Sequence, residues 1–291
     1  MKNSCKGIAL VLFSALMFGS YGVWSKLLGT SFGLFYPGWT RSLIIVVALF
    51  PILYFTKQIV LVKKEDWKWL SVFLFFTSFT QAPLLYAFNH IDIGAATLLF
   101  FVSMLLTMYI VGFVFLGEKM TGIKLVSFII ACIGLYVTFS FSITMFVFLA
   151  AILAVVNGIA SGGEISFSKK LSDNYSALYL TWLSWICVAL TNGIVSIFVG
   201  EIQFIPTFDI FWLYQVLYAF VGIAGFWAII QALKYTEASI SGLLGLLEIV
   251  FSIAFGALIF HQGLTGKIVL GAVLIVGAAA LPHISELTRK R

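Results

Sequence analysis

Two carboxylates stand where carboxylates are expensive. Glu248 and Glu164 each fall inside long apolar runs. An ionisable group at the middle of a membrane helix costs about 2.5–3.5 kcal/mol on insertion scales, and such groups face a wet cavity or a partner. Around Glu248, Ser241, Gly245 and Ser252 lie at i−7, i−3 and i+4, which makes one helical face small and polar. Asn157, Ser161, Glu164 and Ser168 fall at offsets of 4, 7 and 11 from the first, a straight polar stripe on a helix. Either acid can hold a substrate ammonium or carry a coupling proton. The plainer reading is a neutral carboxyl bonded to a neighbouring helix. For the serines and glycines that reading is close packing between helices.

Other polar groups share these apolar surroundings. Pro83 inside an apolar run frees a backbone carbonyl, which is tolerated where a cavity is lined, and Gln81 stands beside it. Arg41 is open to three readings: an ion pair, a substrate carboxylate, or snorkelling to the interface. Among the 49 aromatic residues implied by 30 Phe, 11 Tyr and 8 Trp, most must face lipid or pack. Tyr21, Tyr86, Trp185 and Trp227 are the candidates for touching substrate. Trp67 and Trp69, following Lys63 and Lys64, read as interfacial anchors.

The elements that carry these residues are membrane helices. The 291 residues are 62% hydrophobic and 10% charged, with mean hydropathy +1.12. A soluble fold could not hide that much apolar surface. Runs of about 20 apolar residues are needed for a span, and they occur near 7–28, 33–56, 67–89, 93–116, 121–140, 143–168, 176–200, 209–233, 238–260 and 264–284. The fold expected is therefore all-α, integral to a membrane, with ten spans. In that arrangement 14 of the 17 Lys and Arg residues fall at one end, which the positive-inside rule places in the cytoplasm with both termini. Lys26 and Lys169 close their helices and read as snorkelling ammoniums.

The chain also repeats itself. Gly19–Leu28 reads GSYGVWSKLL, and 143 positions on, Gly162–Leu171 reads GGEISFSKKL. Trp39 meets Trp182 at the same offset, and Thr121-Gly122 meets Thr265-Gly266 at 144. Five spans map onto five. Five is odd, so the second set enters the membrane from the other side, as in inverted-repeat carriers. The repeats are expected at 1–141 and 142–291. Within them Tyr21 corresponds to Glu164 and Met104 to Glu248. The stripes of the first and sixth spans are expected to face each other, one wall aromatic and one anionic.

Leu116–Gly134, LGEKMTGIKLVSFIIACIG, resembles the Leu-Gly-Glu signature of the drug/metabolite transporter superfamily in its EamA-type branch, with Gly117-Glu118, Thr121, Ser127 and Gly134 in place. The second copy keeps Thr265, Gly271 and Ala278 but has His261-Gln262 for Gly-Glu, and Leu247-Glu248 is followed by Ile249 where the family pattern has Pro. Arg41 and Lys26 fit further family positions. The resemblance implies two five-helix halves around a central cavity and export or exchange of small metabolites, often amino acids. Uptake or exchange of a nucleotide-like metabolite is the alternative. An intramembrane enzyme is the remote one, because His90, His261 and His283 sit at helix ends and no His-Glu-x-x-His occurs. No phosphate loop for ATP appears. Cys5, Cys132 and Cys187 lack metal or disulfide spacing. The partners expected are a small-molecule substrate, the bilayer of a bacterial-type inner membrane and coupled protons. Cofactors, metals and nucleic acid are not expected, and the oligomeric state is open.

Overall fold

A computed structural model describes residues 2–28, 33–91, 93–139 and 148–289. Among these residues every regular element is helical. The first span is α1 (Lys2–Gly19) with α2 (Tyr21–Leu28), and the second is α3 (Tyr36–Phe55). The third is α4 (Trp67–Thr77) with α5 (Ala82–His90), the fourth α6 (Ile93–Phe115), and the fifth α7 (Gly122–Thr138). The second half follows as α8 (Phe148–Leu171), α9 (Ala177–Phe198), α10 (Ile210–Ala232), α11 (Ala238–Gly245) with α12 (Leu247–Phe260), and α13 (Gly266–Arg289). Eight spans are long and apolar enough to cross a bilayer, and the shorter apolar helices Gly122–Thr138 and Gly266–Pro282 complete ten. Asp92 and the expected repeat boundary lie outside the described residues.

The repeated phrases perform repeated jobs. Thr121 caps α7 by accepting the Lys124 amide, and Thr265 accepts the Ile268 amide at the start of α13, each at 3.4 Å. Capping of this kind satisfies amides that have no partner inside the helix. Tyr36 donates from its phenol to the Phe204 carbonyl at 2.6 Å, and Tyr179, 143 residues on, donates to the Val60 carbonyl at 3.0 Å. One bond ties the start of the second span to the segment after the seventh. The other ties the start of the seventh to the segment after the second. The same bond therefore recurs at opposite ends of the molecule, as an inverted repeat requires.

Helix packing obeys the same relation. The fourth span packs on the sixth as the ninth packs on the first, and the third on the sixth as the eighth on the first. The second pairs with the seventh and the fifth with the tenth. Lipid supplies no hydrophobic drive between helices, so small residues must permit close crossings. A Cβ on Gly162 would stand 2.5 Å from the Met104 carbonyl oxygen, and one on Gly19 would stand 2.8 Å from the carbonyl oxygen of Glu248, the counterpart of Met104. The repeated glycine is thus a repeated backbone-to-backbone crossing. One of the two is placed against the candidate acid.

The third span is interrupted across residues 78–81, whereas the first and ninth carry only single irregular residues, Ser20 and Leu246, through which the helical bonds continue. Substituting Ala at Gly19 or Gly162 should lower the thermal midpoint of the purified protein, at the roughly 1–3 kcal/mol scale of overpacking. Unchanged midpoints for both variants would mean that neither crossing depends on the missing Cβ.

Candidate functional site

The break in the third span and the irregular turn of the first both border Arg41. This side chain, one turn inside α3, is only 4% exposed, which rules out snorkelling. Its position is fixed from both sides. Glu201 holds the N-terminus of α3, accepting the amides of Leu34, of Phe35 at 2.9 Å and of Tyr36 at 2.7 Å. Gln215 of α10 donates to the Pro37 carbonyl at 2.6 Å and to the Thr40 hydroxyl at 2.8 Å, one residue before Arg41.

From there the guanidinium donates through Nη2 to Gln81 Oε1 at 2.9 Å, in the interruption of the third span. It lies 4.1 Å from the ring centroid of Tyr218, 5.3 Å from Tyr21 and 5.5 Å from Trp185. Tyr21 and Tyr218 meet edge to face at 4.6 Å. The Tyr21 hydroxyl, Arg41 Nε and Trp185 Nε1 are buried without a hydrogen-bond partner. Among the described residues the ion pairs are Lys124–Glu237 and Lys169–Glu118, so no carboxylate neutralises Arg41.

The acids approach the same place. Glu164 of α8 accepts hydroxyl protons from Thr77 at 2.9 Å and Ser184 at 2.6 Å, both on Oε1. Glu248, in the first turn of α12, is half-buried and makes no hydrogen bond or ion pair among the described residues. The bonded neutral carboxyl considered for it from sequence therefore has no partner here. Arg41, Glu164 and Glu248 all lie within electrostatic reach of Tyr21.

Asn157 has a different task. Its Nδ2 donates at 2.8 Å to the carbonyl of Phe79. Phe79 stands four residues before Pro83, and its carbonyl is the one that the proline frees. Asn157 Oδ1 remains buried and unpartnered. The stripe of α8 is therefore packed on the third span. The first span's stripe packs on the eighth, with Ser14 donating to the Gly225 carbonyl at 2.8 Å and Phe18 against Gly225. Each stripe takes its own neighbour before it can face the other.

Other candidates are placed elsewhere. Ser161 is half-buried on α8. Ser241 shares a 2.6 Å hydroxyl contact with Thr236 at the lysine-rich end. Tyr86 stacks on His90 at 3.9 Å, and Trp227 packs against the main apolar core. Two apolar grooves, one lined by Leu106, Ile110 and Phe113 and one by Phe75, Phe79 and Ile159, hold none of the candidate residues. Tyr218 was missed from sequence. The signal for it was present: Gln215, Tyr218, Gly222 and Gly225 form a polar and small stripe at helical spacing.

At the lysine-rich end stands a lock. Glu118 accepts the Ala238 amide at 2.5 Å, the Ser239 amide at 3.1 Å and the Ser239 hydroxyl at 2.8 Å, so it covers the N-terminus of α11. Lys169 donates to Glu118 at 3.1 Å and to the Thr236 carbonyl at 2.9 Å. Lys169 thus joins three spans rather than snorkelling. The corresponding residues at the other end are Lys26 and Gln262, and no hydrogen bond is found between them: the Lys26 ammonium lies 4.1 Å from the Phe260 ring centroid.

The EamA-like transporter family model matches residues 5–140 and again 148–282. The chain belongs to the EamA-like transporter family. It is a membrane transporter of small molecules, with the two-repeat, ten-helix architecture of that family. One solved structure, described only as "Crystal structure of protein", superposes with a TM-score of 0.76 over 94% of this chain and 97% of its own, at 15% identity. At that identity the likeness establishes the fold alone. No curated protein sequence matches.

In this transporter the lock titrates. Burial alone would raise the Glu118 carboxyl, but the Lys169 ammonium and the Ser239 and Ala238 donors outweigh it and hold the group below its ordinary 4.5. A depressed carboxyl contributes stability that is present above 4.5 and lost as pH falls through the lower, folded value. Thermal stability should therefore drop on acidification below about 4.5. Glu118→Gln should lower stability at pH 7 and flatten that acid limb; an acid limb identical in both proteins would refute the assignment.

Proposed function

We propose that this EamA-like transporter is a secondary carrier of small zwitterionic metabolites, amino acids and their relatives, working by alternating access. The single observation that carries the reading is Glu248. It is a carboxylate at membrane depth, beside a glycine crossing, with no hydrogen bond or ion pair among the described residues. Such a residue is costly and persists where a substrate cation or a proton visits it. Glu248 receives the ammonium or the coupling proton, Glu164 supports the same pole, and the rings of Tyr21, Tyr218 and Trp185 hold the apolar part. The chemistry is translocation and not catalysis.

The inverted repeat supports alternating access, because two halves that exchange shapes give two states related by the pseudo-axis. The observed state is closed at the lysine-rich end by Lys169, Glu118 and the start of α11. In the opposite state Lys26 and Gln262 close the other end. We place the lysine-rich end and both termini in the cytoplasm on the distribution of positive charge. Export as the working direction is supported by the family pattern.

Counterflow of labelled amino acids in proteoliposomes tests the reading. The wild type should exchange at least one of them, and an intact protein that exchanges none refutes it. Glu248→Gln should abolish proton-driven uphill movement while exchange survives. Undiminished uphill transport by that variant would remove Glu248 from coupling.

A further inference from the structure

The group that the site lacks is an anion. Arg41 is 96% withdrawn from solvent by its 4% exposure, yet its one hydrogen bond goes to a neutral amide oxygen of Gln81. Three rings lie around the cation, but a ring face is a far weaker acceptor of N–H groups than the oxygens onto which a guanidinium forks. Arg41 Nε accordingly has no partner. Trp185, also 4% exposed, aims an indole N–H with no acceptor. The Tyr21 hydroxyl is a third buried group left unsatisfied.

These groups converge. A Cβ built on Gly222 would stand 3.0 Å from the Tyr21 hydroxyl and 3.3 Å from Trp185 Cζ2, the ring carbon two bonds from Nε1. The phenol and the indole edge therefore both pack closely on Gly222, and the same two rings flank Arg41. Buried donors are normally satisfied. Here a cation and an N–H donor from separate helices share one deficit.

We propose that Arg41 and Trp185 form the subsite for a carboxylate of the transported molecule. The inference rests on the carrier reading above and narrows it to substrates with a carboxylate. A monoanion matches one guanidinium. A phosphate dianion would need a second cation, and among the described residues Arg41 is the one cation that acts on Tyr21, where Glu164 and Glu248 also act. A guanidinium and two carboxylates within electrostatic reach of one phenol fit a carboxylate and an ammonium in one small molecule.

The test is ligand-dependent thermal stabilisation of the full-length protein in nanodiscs. The probes are L-leucine, L-phenylalanine and L-threonine, each against its own carboxamide, with butyrate and chloride at equal ionic strength. At least one amino acid should stabilise the wild type, with its amide at least about tenfold weaker, the loss expected for removing a hydrogen bond to a charged group. Trp185→Phe keeps the ring and removes the N–H; it should weaken the amino acid several-fold and leave the amide unchanged. Arg41→Lys should retain part of the preference, and Arg41→Gln none.

Equal binding of acid and amide, or an acid preference that survives in Arg41→Gln, overturns the proposal. So does the absence of any response to all the carboxylates. If Arg41→Gln fails to fold, the Trp185→Phe comparison decides. Carboxylate-selective binding without any flux in proteoliposomes would leave the subsite standing and sink the carrier reading. Flux indifferent to Trp185→Phe and Arg41→Lys would do the reverse.

Discussion

In hydrocarbon a freed backbone carbonyl has no water to turn to, so an interrupted membrane helix survives only where a side chain replaces the lost bond. The third span meets this condition at one contact, the Asn157 amide on the carbonyl of Phe79. Pro83 stands in the first turn of α5, just after the interruption, where a proline is tolerated. Asn157, from the sixth span, makes the interruption tolerable, and it ties the two spans together. Because the chain unwinds there, Gln81 is released from a regular helical position and reaches Arg41. Without that single amide the third span would have to continue, move or flood, and the partner of the buried guanidinium would go with it.

The inverted repeat supplies the frame, and the chemistry lies where the two copies disagree. Where they agree, as in the threonine caps, the tyrosine-to-carbonyl bonds and the glycine crossings, the residues build two equivalent halves. Met104 becomes Glu248 on the same crossing, and Tyr21 becomes Glu164. A symmetric scaffold thus carries an asymmetric set of side chains, with acids at two positions that are Met and Tyr in the other copy. Purely symmetric lining could not orient a zwitterion.

Much of this was legible in the chain. Ten apolar runs, one-sided lysines and the 143-residue offset follow from hydropathy and counting, because lipid imposes length and orientation on each span independently. The acids stood out for the same reason. What could not be read was rotation about each helix axis and the choice of neighbour. Ser241 shares a helical face with Glu248 in projection, yet it lies about two turns away and bonds Thr236 instead. The polar stripe of the sixth span seemed to look toward the first, but Thr77 and Phe79 of the third claim it. Glu118 and Glu201 read as loop residues; only the fold shows that each covers the N-terminus of a distant helix.

The two ends of the carrier are not equal closures. At the lysine-rich end a full carboxylate meets an ammonium, two backbone amides and a hydroxyl, and its charge also complements the N-terminal end of the α11 dipole. At the other end the equivalent contact has a neutral amide, Gln262, where Glu118 would be. Charge-assisted bonds are roughly twice as strong as neutral ones. On the proposed cycle the state closed at the lysine-rich end is therefore the deeper of the two when the site is empty. Occupancy must tilt that balance, and it can do so only through groups that bind better in one state than in the other. The unsatisfied cluster around Arg41 and Glu248 is where the protein keeps such groups.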